Sequence, residues 1–367
     1  MVIGIDIRST VKNEKTGIGQ YTYNLLKIIS KIDHHHRYLL YSRIRPFSGK
    51  KNPRIKSKNF RFFTERFFKR PQVFFSKIDL YHSSSYDLFP PKEKKFVLTV
   101  HDVIVKAYPE GHSSDTVEKV TRVMSSALGR ADGIMTVSEN TKQDVIRYFK
   151  CSADKIKVIH LGAGEEFFPL KETDKEKAKS LLKKFGIKDK FVLFVGTIEP
   201  RKNLRNLISA FNKLKEEIPH QLVIVGMKGW GTDEVFNLVE ELSLKDRVIF
   251  TGYLPQTDIN FFYNLCECFV YPSFYEGFGL PIVEAMQTGC PVITSNTSSC
   301  AEIGKNTALL VEPGYIDSIA EAILKVVKDK NLNQELRQKS LRRAKDFSWK
   351  VAGEKTMHFF EDIYRLK

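Results

Sequence analysis

The chain is 367 residues long, 42% hydrophobic and 28% charged; these are globular values, and the length suffices for two domains. No apolar run reaches the roughly 18 residues that span a bilayer, and five scattered cysteines (Cys151, Cys266, Cys268, Cys290, Cys300) form neither a disulfide framework nor a metal-ligand spacing. A formal charge of +16 calls for an anionic partner: nucleic acid, a membrane surface or a phosphorylated ligand.

Taken in order, Val2 to Ile7 reads as a buried strand; with Asp6 inside it, it is too short for a signal peptide, and a cytoplasmic protein with reduced thiols is expected. Thr16-Gly17-Ile18-Gly19-Gln20-Tyr21 then opens a helix whose Ile18, Leu25, Ile28, Ile29 and Ile32 share one stripe. The lone Gly-x-Gly is either a phosphate loop or a tight turn. His34, His35 and His36 read as solvated loop histidines with no acidic or cysteine partner for a metal. From Arg43 to Arg70 eleven Lys/Arg face the single Glu65, a local +10, with Phe47, Phe60, Phe62, Phe63, Phe67 and Phe68 interleaved. Such a segment suits an anionic membrane surface. It would equally stack on single-stranded nucleic acid, or pack its phenylalanines in the core as an amphipathic connection.

Strands are expected at Asp79–His82 and Phe96–Val100, the second ending in His101-Asp102. A polar pair there lies where open α/β sheets place ligands; His101 either meets a substrate hydroxyl or only caps the strand. A helix from about Ser113 to Leu128, a strand Gly133–Val137, a helix Glu139–Phe149 capped by Ser138 and a strand Lys157–Leu161 complete this half. The second half opens with a charged helix, Lys171–Lys184, stopped by Gly186. A strand Phe191–Val195 then ends at Gly196-Thr197, and the loop Ile198-Glu199-Pro200-Arg201-Lys202-Asn203 puts two cations at a strand-to-helix turn, where they can neutralise a diphosphate. Strands Leu222–Gly226 and Val248–Gly252 end in glycine, as in a doubly wound parallel sheet, and Tyr253-Leu254-Pro255 and a helix Thr257–Cys266 follow.

The most informative stretch is Phe269–Ser295, FVYPSFYEGFGLPIVEAMQTGCPVITS. It reads as strand, loop, helix and strand, with Pro281 at the first helical position and Gly289 at the stop. Gly277-Phe278-Gly279 before Leu280 lets an anionic ligand approach bare backbone donors. Glu276 and Glu284, eight residues apart, add carboxylates that accept from hydroxyls. Phosphate plus hydroxyls describes a sugar nucleotide. A last strand Leu309–Val311, a basic helical run Ser318–Lys345, a turn at Trp349 and a helix Val351–Leu366 end the chain.

The Glu-x7-Glu spacing with its Gly-Phe-Gly-Leu-Pro insert, and the Gly-x5-Lys-Asn element from Gly196 to Asn203, resemble retaining glycosyltransferase family 4 of GT-B architecture. The resemblance implies an α/β fold of two Rossmann-like doubly wound domains facing a cleft. Residues 1–168, joined by the last helix 351–367, would bind the acceptor and residues 169–350 the nucleotide sugar. It places Gly17 and Gly19 at that cleft, His101 near the donor sugar, the backbone of Tyr253 and Leu254 at the base, and Thr297–Glu302 beside the nucleotide. Gly196, Thr197, Arg201, Lys202 and Gly277–Leu280 would line the donor site, with Glu276 on sugar hydroxyls and Glu284 on the ribose. No Asp-x-Asp loop is evident, so the reading needs no metal or other cofactor: Arg201, Lys202 and the helix N-terminus would offset leaving-group charge. Glu276 is not taken as a covalent nucleophile; a front-face route, in which the leaving phosphate takes the acceptor's proton, fits the missing base. GTIEPRKNL, HLGAGEEFFP and FYEGFGLP together look like bacterial mannosyltransferases of surface-polysaccharide assembly, which favours GDP-mannose and a glycan or lipid-linked acceptor, with no nucleic-acid partner. Rival readings are a phosphorylase or epimerase of the same fold, or a basic nucleic-acid-binding protein, which would leave the glutamate pair without a role.

Overall fold

The computed structural model describes residues 1–11, 17–66, 71–188 and 190–366. Thr16, Phe67, Phe68, Lys69 and Arg70, to which the sequence reading also pointed, lie outside them. The chain divides into two compact units, Met1–Gly162 with Ser348–Lys367, and Ala163–Phe347. The sequence places these boundaries at 168/169 and 350/351, a few residues later in each case.

The first unit is built on a seven-stranded parallel sheet. From edge to edge its strands are Phe60–Glu65, Arg37–Arg43, Val2–Asp6, Leu80–Ser83, Lys95–Val100, Gly133–Thr136 and Ile156–Val158. The inner strands are short and buried on both faces, as helix-covered parallel sheets require, with Asp6, His82 and Ser83 among the buried residues. Strand order reverses between Val2–Asp6 and Leu80–Ser83, the point where open sheets part their loops and admit ligands. Helix Glu139–Phe149 begins at Ser138, whose hydroxyl accepts the Thr141 N–H at 3.0 Å.

The second unit repeats the plan with six parallel strands: Val248–Gly252, Gln221–Val225, Phe191–Val195, Cys268–Tyr271, Val292–Ser295 and Leu309–Val311. Its switch point falls between Phe191–Val195 and Cys268–Tyr271. Gly226 is required by close approach: a Cβ there would stand 1.9 Å from the Gly196 carbonyl oxygen. The carboxyl ends of two neighbouring strands can therefore nearly touch.

Several expectations are corrected. The basic segment from Arg43 is interrupted by a strand the sequence reading did not expect, Phe60–Glu65, the edge strand of the first sheet. Phe60 is buried, and Phe63 lies 6.3 Å from the Tyr41 ring and 5.6 Å from Phe74, so these two serve the core and not a surface. His36 is not a solvated loop residue: its Nδ1 meets Asp33 Oδ2 at 2.8 Å and its Nε2 lies 3.7 Å from Glu361. The run Ser318–Lys345 is two helices, Ile316–Lys328 and Lys330–Ala344, parted at Asp329, whose carboxylate caps the second. Trp349 opens the last helix, Trp349–Arg365, rather than a turn before it. Packed with Gly17–Ile32, that helix belongs to the first unit.

Candidate functional site

The strand Phe191–Val195 delivers Gly196 and Thr197 into a loop that ends in a single turn of 3-10 helix, Pro200–Lys202. Asn203, in the left-handed region (φ 61°), then starts helix Leu204–Leu214. Its amide nitrogen donates to the carbonyls of Pro272 (3.0 Å) and Pro313 (2.7 Å), tying the turn to the loop after Cys268–Tyr271. That second loop is held from its other side: the Glu276 N–H donates to Ser298 Oγ at 3.1 Å, and the Ser299 hydroxyl donates to the Glu276 carbonyl at 2.8 Å. Three chain segments far apart in sequence thus clamp Glu276 at the switch point.

The side chains meet on one atom. Glu276 Oε1 lies 2.6 Å from Lys202 Nζ, 2.7 Å from Arg201, 2.6 Å from Ser273 Oγ and 3.0 Å from the Tyr271 hydroxyl. Lys202 also donates to the Tyr271 hydroxyl and sits 4.9 Å above that ring. Arg201 reaches Glu199 at 2.7 Å and the Tyr275 carbonyl at 3.1 Å. Burial would push the Glu276 carboxyl up, but Arg201 and Lys202 overcome it and hold the group at about 2. Burial lowers the Lys202 ammonium, against the pull of Glu276. The cluster is therefore an enclosed ion network, with two cations balanced by Glu276 and Glu199. A carboxylate so engaged is a weak base and a weak nucleophile.

Glu276 is followed by Gly277, Phe278 and Gly279. Gly279 takes a left-handed φ of 88° as the residue before helix Leu280–Gln287, which begins one residue earlier than Pro281. Glu284 projects from that helix to a different set of partners: the Tyr263 hydroxyl donates to its Oε2 at 3.3 Å. Burial raises its carboxyl to about 8; Tyr263 opposes the rise and Glu166 adds to it. At neutral pH Glu284 is thus mainly protonated, not the carboxylate expected from the sequence. Tyr253 is exposed and Leu254 buried at the end of Val248–Gly252.

In the first unit, Gly17 and Gly19 lie in the first turn of helix Gly17–Ile32, and a Cβ at Gly17 would meet nothing within 4 Å. His101 follows strand Lys95–Val100 with its ring edge-on to Tyr21 at 4.6 Å. Its Nε2 is buried without a hydrogen-bond partner among the described residues, and burial holds the ring at about 4, hence neutral. A neutral imidazole with an unmet ring nitrogen is suited to a ligand hydroxyl. No group of three or more His, Cys, Asp or Glu among the described residues is placed to hold a metal ion.

Arg201, Lys202 and Glu276 are thus in direct contact, whereas Glu284 stands in its own hydrogen-bond set and His101, Gly17 and Gly19 belong to the other unit. Glu199, Tyr271, Ser273 and Tyr263 were not expected. Glu199 alone carried a local signal, an acid two residues before Arg201.

Residues 16–166 match Glycosyltransferase Family 4, and residues 172–343 match Glycosyl transferases group 1. O-antigen chain mannosyltransferase B of Escherichia coli is 33% identical over 285 residues, 77% of this chain and 74% of that one. The serotype-specific mannosyltransferase WbdA of Escherichia coli is 32% identical over 276 residues, 73% of this chain but 34% of WbdA, so the chain spans about a third of that protein. Sucrose-phosphate synthase from Thermosynechococcus elongatus shares the fold, with a TM-score of 0.81 at 20% identity over 99% of both chains.

Proposed function

The chain belongs to glycosyltransferase family 4, with the GT-B fold, and from that premise we propose that it moves a mannosyl unit, with retention, from GDP-mannose to a hydroxyl of a glycan or lipid-linked acceptor in O-antigen or a related surface polysaccharide. The observation that carries the reading is the Arg201–Lys202–Glu276 network, buried at the carboxyl ends of the strands that flank the switch point. The likeness to two mannosyltransferases supports the sugar.

The donor diphosphate lies against Arg201, Lys202 and the amides that open helix Leu280–Gln287, where fixed positive charge meets charge that develops as the bond to the leaving group breaks. Glu276 aims the two cations through Oε1, and its other oxygen accepts from the sugar hydroxyls. Glu284 and the backbone of Tyr253 and Leu254 take the nucleoside, and Gly196 and Thr197 border the diphosphate. In the first unit, His101 offers its buried Nε2 to a ligand hydroxyl. The low proton affinity of Glu276 favours a front-face route, with the acceptor's proton taken by the leaving phosphate. Transfer needs no metal. The protein works at the cytoplasmic membrane face, where lipid-linked acceptors reside; no helix among the described residues is long and apolar enough to cross a membrane.

A thermal-shift panel of GDP-, UDP- and ADP-sugars tests the donor, because a ligand bound only by the native state raises the melting temperature. GDP-mannose should give the largest shift, and NMR of the product made from it should show an α-linked mannose, the configuration of the donor. A β-linked product overturns retention. A shift with UDP-sugars alone overturns the donor.

A further inference from the structure

Between the strands Arg37–Arg43 and Phe60–Glu65 the chain makes a long excursion on the carboxyl edge of the first sheet. It encloses a cavity of about 520 Å3 with Arg45, Phe47, Lys50, Lys51, Asn52 and Arg66 in its wall. The four cations are exposed and have no acidic partner among the described residues. Phe47 is fully exposed (106%) and is held with a left-handed backbone, φ 61°, which bulky residues seldom adopt. Asn52 donates from Nδ2 to Thr64 Oγ1 at 2.9 Å, and its Oδ1 is buried with no hydrogen-bond partner among the described residues.

We propose that this loop is a cup for the headgroup of an anionic phospholipid, with Arg45, Lys50, Lys51 and Arg66 on the phosphodiester and Phe47 inserted among the acyl chains beside it. A cup of unpaired cations suits a phosphate, and its bare acceptor, Asn52 Oδ1, suits a headgroup that carries a hydroxyl, as in phosphatidylglycerol. An aromatic ring held in solvent by a constrained backbone gains nothing in water and buries apolar surface in a bilayer. The site deepens the membrane reading above and rests on it. It confines the docking to one concave site, whereas Phe60 and Phe63, also in this basic segment, face the core.

The test is sedimentation of the full chain with vesicles of phosphatidylcholine, with and without phosphatidylglycerol. Wild type should pellet only with the anionic vesicles. Each basic residue at such a surface contributes about fivefold, so Lys50→Ser with Lys51→Ser and Arg66→Ser should weaken partitioning by about a hundredfold. The control Lys56→Ser with Lys58→Ser and Arg61→Ser removes the same charge outside the cup and should cost less than tenfold. Phe47→Ser should bind at low salt and lose the binding that wild type keeps at high salt. Equal losses in the two triple variants would overturn the cup and leave diffuse membrane attraction standing. Wild type that ignores anionic vesicles at low salt would overturn the membrane reading itself. A melting shift with soluble glycerol phosphate, without any pelleting, would make the ligand a free phosphate and overturn lipid docking.

Discussion

Replacing Glu276 by alanine would leave the Lys202 ammonium buried beside Arg201 without its carboxylate. Breaking a buried pair in this way costs about 3–5 kcal/mol, so Glu276→Ala should unfold at clearly lower urea, while Glu276→Gln, which keeps an acceptor oxygen for Lys202, should lose less. An unchanged midpoint for Glu276→Ala would mean that the network contributes little. The sign of the pH dependence follows from the lowered group. Its folded value of about 2 lies below the usual 4.5. Its contribution, about 3 kcal/mol, is therefore complete above pH 4.5 and lost as the pH falls towards 2. Acid titration of Glu276→Gln should lack that component. Glu284 behaves in the opposite sense. With a folded value of about 8, its protonated form stabilises the protein below 4.5, and that gain is lost as the pH rises through 8. Ribose hydroxyls that donate to its carboxylate must first displace the proton. Calorimetry at pH 7 in buffers of different ionisation heat should therefore record nearly one proton released when GDP binds, and none with Glu284→Gln. Proton-neutral binding by wild type would remove Glu284 from the ribose. At this scale Glu276, Arg201 and Lys202 were legible because adjacent residues and a short spacing carried them. Tyr271 and Ser273 were not, since their roles depend on loops that meet only after the sheet has formed.

Elements were legible where one period dominated. Phe191–Val195 and Leu309–Val311 have the bounds expected of uninterrupted apolar runs, and the Ser138 cap announced its helix. The edge strand Phe60–Glu65 was hidden because basic residues crowd it and its neighbouring phenylalanines face opposite sides. The break at Asp329 was hidden because basic, helix-favouring residues flank a single capping acid. Close approach of elements was invisible as well. At Gly226 the obstacle to a side chain is the Gly196 carbonyl, which is backbone and cannot step aside. Gly226→Ala should therefore cost well over the ~1 kcal/mol typical of point substitutions, and should weaken nucleotide binding by displacing the loop from Thr197 to Lys202. A variant that melts like wild type would show that the two strand ends can part freely.

In the whole molecule, the last helix crosses from the end of the second unit to complete the first. Ile363 lies against Gly133, and Gly353 packs on Ile28, each too close to admit a side chain at the glycine without rearrangement. Removal of 348–367 should therefore expose the first unit to limited proteolysis, while Ala163–Phe347, with its own sheet and core, stays resistant. Equal resistance of both units would contradict that division. The net charge of +16 pointed to an anionic partner without placing it; the fold shows that Glu276 and Glu199 balance Arg201 and Lys202, whereas Arg45, Lys50, Lys51 and Arg66 have no acidic partner among the described residues. In the proposed reaction Arg201 and Lys202, and no metal ion, carry the charge that develops on the leaving diphosphate. The most direct measurement is the rate of mannosyl transfer from GDP-mannose in excess EDTA for wild type, Arg201→Ala and Lys202→Ala. Wild type should keep full activity with the chelator, and kcat should fall by about a hundredfold or more in each variant. Activity abolished by EDTA and restored by manganese, or wild-type kcat/KM in Arg201→Ala, would contradict that role.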